Sequence, residues 1–258
     1  MANFVLVAGA WLGSWAWDEV VSELRAAGHG AYPLTLSGLA EKGSAPAGQQ
    51  AHVADVVAGV VERDLRDVVL VGHSYSGIPV GQAAERIGDR LAGLVLVDAN
   101  VPVAGESFAD QIPEPAGLRA DLAAHGGWWP PLPPADFAGQ GLSAGQIARI
   151  AERATPHPGA SLTEPAVLAG PLSALPAVYV KCLLDWPEPP PVVAGLVSDG
   201  HWRLVELDTG HWPMFSRPVE LARVLGGFRS AGPARTGEAR ADGSRADGAR
   251  ADGAQTDR

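Results

Sequence analysis

Val68-Val69-Leu70-Val71-Gly72-His73-Ser74-Tyr75-Ser76-Gly77 is an apolar run that stops at a serine set among small residues. Four consecutive branched apolar residues read as a strand buried on both faces, and the segment 76–87 reads as a helix, so Ser74 is expected on the turn between them. Gly72 and the small Ser76 let two stretches of backbone pass close to each other, as a strained strand-to-helix elbow requires. Read alone, the pentapeptide 72–76 is also an ordinary loop with a capping serine. It departs from the pattern G-x-S-x-G at its last position, where Ser76 stands in place of glycine, and some local strain is expected there. The rest of the chain has to decide.

The chain has 258 residues, 47% of them hydrophobic, enough for one sizeable α/β core. A formal net charge of -10 argues against nucleic acid and anionic membrane surfaces as partners and leaves a small molecule as the expected one. The single cysteine, Cys182, lies in an apolar run and can form no internal disulfide. No basic residue precedes Arg25, and no apolar run approaches the roughly 20 residues of a membrane span. A cytoplasmic protein is the expectation, and nothing in the sequence specifies an oligomeric state.

Short apolar strands at 4–7, 31–36, 68–71, 93–97, 177–184 and 202–207 alternate with amphipathic helices, the pattern of a mostly parallel sheet of about six strands covered on both faces. The alternation fails between about 100 and 176, a stretch rich in proline and glycine and centred on Trp128-Trp129-Pro130-Pro131-Leu132-Pro133-Pro134. An insertion of that length reads as a lid over a site. One domain is therefore expected over 1–230. Beyond it, Ala239-Arg240-Ala241-Asp242-Gly243 recurs at 244–248 and 249–253, with no apolar periodicity. The segment 231–258 is expected to be disordered.

A serine hydroxyl becomes a nucleophile when a base takes its proton, and the base needs an orienting carboxylate. His211, in Asp208-Thr209-Gly210-His211-Trp212-Pro213, directly follows a strand and should reach the same sheet edge as Ser74. Asp185 also follows a strand and gives the order Ser, Asp, His, while Asp98, at the end of 94–97, competes with it. The backbone N–H groups of Tyr75 and Ala10 are the expected oxyanion donors. Gly9 and Trp11 in the first loop, Trp212, and the paired Trp128 and Trp129 are the expected substrate contacts. No dinucleotide or phosphate-loop fingerprint and no metal-ligand spacing is present, so neither cofactor nor metal is expected.

Three stretches, Phe4-Val5-Leu6-Val7-Ala8-Gly9-Ala10-Trp11 with Trp15 and Trp17, Gly72-His73-Ser74, and Thr209-Gly210-His211-Trp212-Pro213-Met214, resemble the α/β-hydrolases of the plant methyl-salicylate esterase and hydroxynitrile lyase type and their actinobacterial relatives. The resemblance covers about residues 3–229. It implies the α/β-hydrolase fold, Ser74 as nucleophile, Asp185 as acid, His211 as base, Ala10 and Tyr75 as oxyanion donors, and a small, mostly apolar or aromatic ester as substrate. Ala8 stands where the family usually has a histidine that braces the first loop. Trp212 and Gly9 stand where the lyases carry lysine and threonine, which favours hydrolysis over cyanohydrin cleavage. A ligand-binding or non-hydrolytic protein on the same fold is the alternative.

Overall fold

The computed structural model describes residues 1–43, 45–186 and 188–228; the tail expected at 231–258 lies outside the described residues. The strands are β1 (Asn3–Val7), β2 (Gly30–Leu34), β3 (Val68–His73), β4 (Leu91–Val97), β5 (Trp128–Trp129), β6 (His157–Pro158), β7 (Ala177–Cys182) and β8 (Trp202–Leu207). Six of them form one sheet in the order β2-β1-β3-β4-β7-β8, every adjacent pair parallel. The expected α/β-hydrolase architecture is thus present.

β3 is buried along its whole length, as an apolar run between two neighbours and beneath two helical layers should be. On one face α2 (Gln49–Val61) and α3 (Gly77–Ile87) cover Val5, Val7, Val68 and Leu70. On the other, α1 (Asp18–Ala26) and the C-terminal helix Pro218–Gly226 cover Phe4, Leu6, Val69 and Val71. The period of two along each strand divides the core into these two halves.

The segment between β4 and β7 is more ordered than its composition suggests. It holds the helices α4 (Phe108–Gln111), α5 (Pro115–Ala124), α6 (Ala144–Arg153) and α7 (Gly159–Thr163). The ribbon β5/β6 pairs antiparallel within it. Ser143 opens α6 by accepting from the Gln146 N–H while Gln146 reaches back, a capping box that overrides the proline-rich surroundings. The strand expected at 177–184 ends at Cys182, and the next three residues turn. That turn carries Asp185.

All six sheet strands run the same way, so their C-terminal ends share one edge of the sheet, where ligands of open α/β sheets sit. Among the described residues no helix is long and apolar enough to cross a membrane. Leu70→Ala, at a side chain with no solvent contact, should cost about 2–5 kcal/mol in urea unfolding.

Candidate active site

Ser74 sits where β3 gives way to a single 3-10 turn and then α3, and its φ is 54°, in the left-handed region. A serine held there stores strain that its surroundings must offset. Gly72 makes the tight passage possible, because a Cβ on it would lie 3.0 Å from Gly77 Cα and 3.1 Å from the Ser76 carbonyl oxygen. Ser76 behaves differently from the expectation of strain. Its backbone is ordinary right-handed helix (φ -68°). Its hydroxyl accepts from the His73 N–H (2.8 Å) and faces the Val7 and His73 carbonyls at 2.7 and 2.9 Å, tying the elbow to β1.

The first loop runs beneath the elbow. A Cβ on Gly9 would lie 2.7 Å from Ser74 Cβ. Gly9 is therefore required for the close approach and does not line the cavity, a correction to its expected role as a substrate contact. Trp11 has φ 65°. Its indole N–H donates to the Trp129 carbonyl at 3.1 Å and the two ring systems lie 4.2 Å apart.

His211 lies after β8 at the same sheet edge. Its Nδ1 is 2.9 Å from Asp98 Oδ2, in a hydrogen bond, and 3.2 Å from Asp185 Oδ2. Chain order favours Asp185, yet the nearer acceptor is Asp98, and both carboxylates face one nitrogen. Asp98 has φ 43° and is saturated on its other oxygen by Lys181 Nζ (2.8 Å) and the Cys182 N–H (3.3 Å). Lys181 also donates to the Cys182 carbonyl at 2.6 Å. Gln140 Oε1 accepts the His211 N–H at 2.7 Å, and its Nε2 approaches Asp185 Oδ1 at 3.5 Å.

Burial opposes charge on His211, but Asp185 and Asp98 overcome it and raise the imidazole to about 9. Burial likewise opposes charge on Asp98, yet His211 and then Lys181 hold its carboxyl well below the usual range. Burial pushes the Cys182 thiol far up, which suits a packed hydrophobe and no nucleophile. The fold also brings ligand atoms of Asp98, Asp185 and His211 within 4.8 Å of one another, a cluster that sequence spacing does not reveal. With the Lys181 ammonium already on Asp98, a metal cation would compete with a resident charge.

Ser74, His211, Asp98 and Asp185 face a common cavity of about 710 Å3 with Ala10, Trp11, Trp129, Trp212, Phe108 and Tyr179. Trp128 does not. Neighbouring residues of a strand point to opposite faces, so in β5 Trp129 enters this cavity. Trp128 lines a second one of about 660 Å3 with His125, Pro130 and Pro156. The Tyr75 side chain is fully buried and hydrogen-bonds His52 at 2.8 Å, so only its backbone is left for the site. Sequence reasoning missed Gln140 and Lys181. The latter carried a signal, since a lysine inside an apolar strand demands a buried partner.

A model of the alpha/beta hydrolase family matches residues 4–224. The chain is 33% identical over 243 residues to a carbendazim hydrolyzing esterase of Nocardioides sp., spanning 87% of this chain and 98% of that protein. It is 29% identical over 235 residues to a probable hydrolase, R7, of Phoma sp., spanning 86% and 95%. Among solved structures, an extracellular α/β-hydrolase from a Paenibacillus species, described as homologous in structure and function to tobacco salicylic acid binding protein 2, superposes with a TM-score of 0.78. That pair is 26% identical and covers 87% of this chain and 98% of the other.

Two measurements follow from the charge cluster. Lys181→Met strands a buried carboxylate and should cost about 3–5 kcal/mol in denaturant unfolding. Because the folded-state value of His211 lies above its ordinary 6.5, its stabilising contribution is complete below pH 6.5 and lost as pH rises through about 9. The midpoint of thermal unfolding should fall over that window, and fall less in Asp185→Asn.

Proposed function

The chain belongs to the alpha/beta hydrolase family, and on that premise we propose that it is a serine esterase for small, mostly apolar or aromatic esters. The observation that carries this reading is Ser74, on its left-handed elbow, sharing one largely apolar cavity with an imidazole that two carboxylates grip. His211 takes the Ser74 proton at Nε2 while its Nδ1–H stays on Asp98. Ser74 Oγ attacks the ester carbonyl, and the oxyanion that develops is met by the N–H groups of Ala10 and Tyr75. The tetrahedral intermediate collapses to an acyl-enzyme as His211 returns the proton to the leaving alcohol. Water activated by the same imidazole then releases the acid.

The amide pattern of the first loop supports Ala10 as a donor. The Gly9 N–H goes to His73, the Trp11 N–H to His157 and the Leu12 N–H to the Gly9 carbonyl. Tyr75 is the second residue of the turn Ser74–Ser76, within the first turn whose amides have no intrahelical acceptor. Asp98 and Asp185 share the orienting role, Asp98 taking the hydrogen bond and Asp185 adding charge. The segment from β4 to β7 acts as the lid, with Trp129 and Phe108 as its apolar wall over the serine. A cytoplasmic setting goes with a fold that contains one buried cysteine and needs no disulfide.

Ser74→Ala should abolish turnover of p-nitrophenyl acetate and butyrate and labelling by a fluorophosphonate; retained turnover refutes the reading. Carbendazim, named for the Nocardioides relative, belongs in the same substrate panel. The base must be neutral to accept a proton, so a raised imidazole moves the rising limb of kcat/KM toward alkaline pH, with its midpoint near 9. Asp185→Asn should shift that limb toward acid, because it removes one of the two charges that hold the proton on His211.

A further inference from the structure

Two buried imidazoles beside the site are not used by the chemistry above. His73 and His157 are 1% and 0% exposed, and they flank the first loop. Gly9 N–H donates to His73 Nδ1 at 3.2 Å, and Trp11 N–H donates to His157 Nδ1 at a longer 3.4 Å. The residue between them is Ala10, which faces the cavity.

Their tautomers follow from their partners. His73 Nε2 lies 2.7 Å from the His211 carbonyl oxygen, which can only accept, so Nε2 carries the proton and Nδ1 is bare. Ser161 Oγ spends its own proton on the Pro158 carbonyl (2.7 Å), so at 2.9 Å it must accept from His157 Nε2–H, and His157 Nδ1 is bare as well. Both rings thus offer an acceptor to the loop. A second proton on either would aim N–H at N–H. Burial opposes that proton first and most strongly, holding His73 at about 3 and His157 well below its ordinary range.

We propose that His73 and His157 are positioning residues that clamp the loop after β1 by its Gly9 and Trp11 amides, leaving the Ala10 amide between them for the oxyanion. The inference rests on the esterase reading of the same site. It also accounts for Ala8: the brace that a histidine at that position would supply comes instead from the elbow on one side and from β6 on the other. His73 does more than His157, because its second nitrogen holds the backbone of His211 and so joins the donor loop, the nucleophile and the base through one ring. Trp11, at φ 65°, is the residue whose conformation the clamp maintains.

An oxyanion donor acts in the transition state more than in the ground state, so loosening it lowers kcat and leaves KM. His73→Phe and His157→Phe, which keep an aromatic ring and remove the acceptor, should each lower kcat roughly tenfold or more with KM within about threefold, the larger loss at His73. His73→Gln, which restores an acceptor and a donor, should recover part of that loss. In the wild-type protein, 15N spectra of the histidines should show Nδ1 of both residues unprotonated from neutral to alkaline pH while His211 titrates. Unchanged kcat in both Phe variants, a loss carried by KM alone, no recovery in the Gln variant, or a protonated Nδ1 on either ring overturns the clamp. If the Phe variants do not fold, the spectra of the wild-type protein decide. Wild-type protein that turns over no ester, with both Nδ1 atoms bare, overturns the esterase reading and leaves the clamp standing.

Discussion

Lys181 and Asp98 face each other across the ends of β7 and β4 with side chains 2% and 4% exposed, at 2.8 Å. Burying either charge alone would be costly, and together they nearly neutralise each other while each finds further hydrogen bonds on the Cys182 backbone. The pair fixes where the Asp98 carboxylate points. His211 takes its orientation from that carboxylate. The second carboxylate, on Asp185, and the imidazolium complete a set of four charges that sums to zero, so the cavity tolerates them beside aromatic walls. Strand pairing supplies the frame: Asp98 N–H bonds to the Val180 carbonyl, so the acid and the lysine strand are registered by the sheet itself.

The backbone at the site is bent in the same spirit. Trp11, Ser74 and Asp98 all have positive φ; Ser74 and Asp98 directly follow β3 and β4, and Trp11 lies in the loop after β1. Each is held by what surrounds it: Trp11 by Trp129 and His157, Ser74 by the Gly9 approach and the Ser76 hydroxyl, Asp98 by Lys181. A site built at the ends of rigid strands and held on several sides is preorganised, and the strain is offset by the buried sheet below.

Much of this was legible in the sequence, because periodicity and strand ends are local signals. The six strands, the turn at Ser74, and the placement of His211 and of both carboxylates at one sheet edge could be read from apolar runs and the residues that close them. A linear reading ranks the two strand-end aspartates by chain order, which favours Asp185; how close each comes to His211 is set by the pairing of β4 with β7, and Asp98 comes nearer. The non-local contacts were invisible. His157 is more than a hundred residues from the loop it contacts, and Gln140 reaches His211 from a proline-rich stretch without a period. Trp128 and Trp129 looked like one aromatic unit, and pleating sent them to different cavities. Ser76 looked like a fault in a motif until Val7 and His73 supplied its partners.

The β5/β6 ribbon stands as a party wall between two rooms. Trp129 lines the cavity that holds the serine, and Trp128, its neighbour in the same strand, lines the second. A displacement of that ribbon that enlarges one room encroaches on the other. Reshaping the substrate cavity from this side therefore carries a correlated change on the far side of the wall, and so does reshaping it at Phe108, whose ring packs on Trp129 at 5.9 Å, whereas Tyr179 lies on the sheet, away from the ribbon.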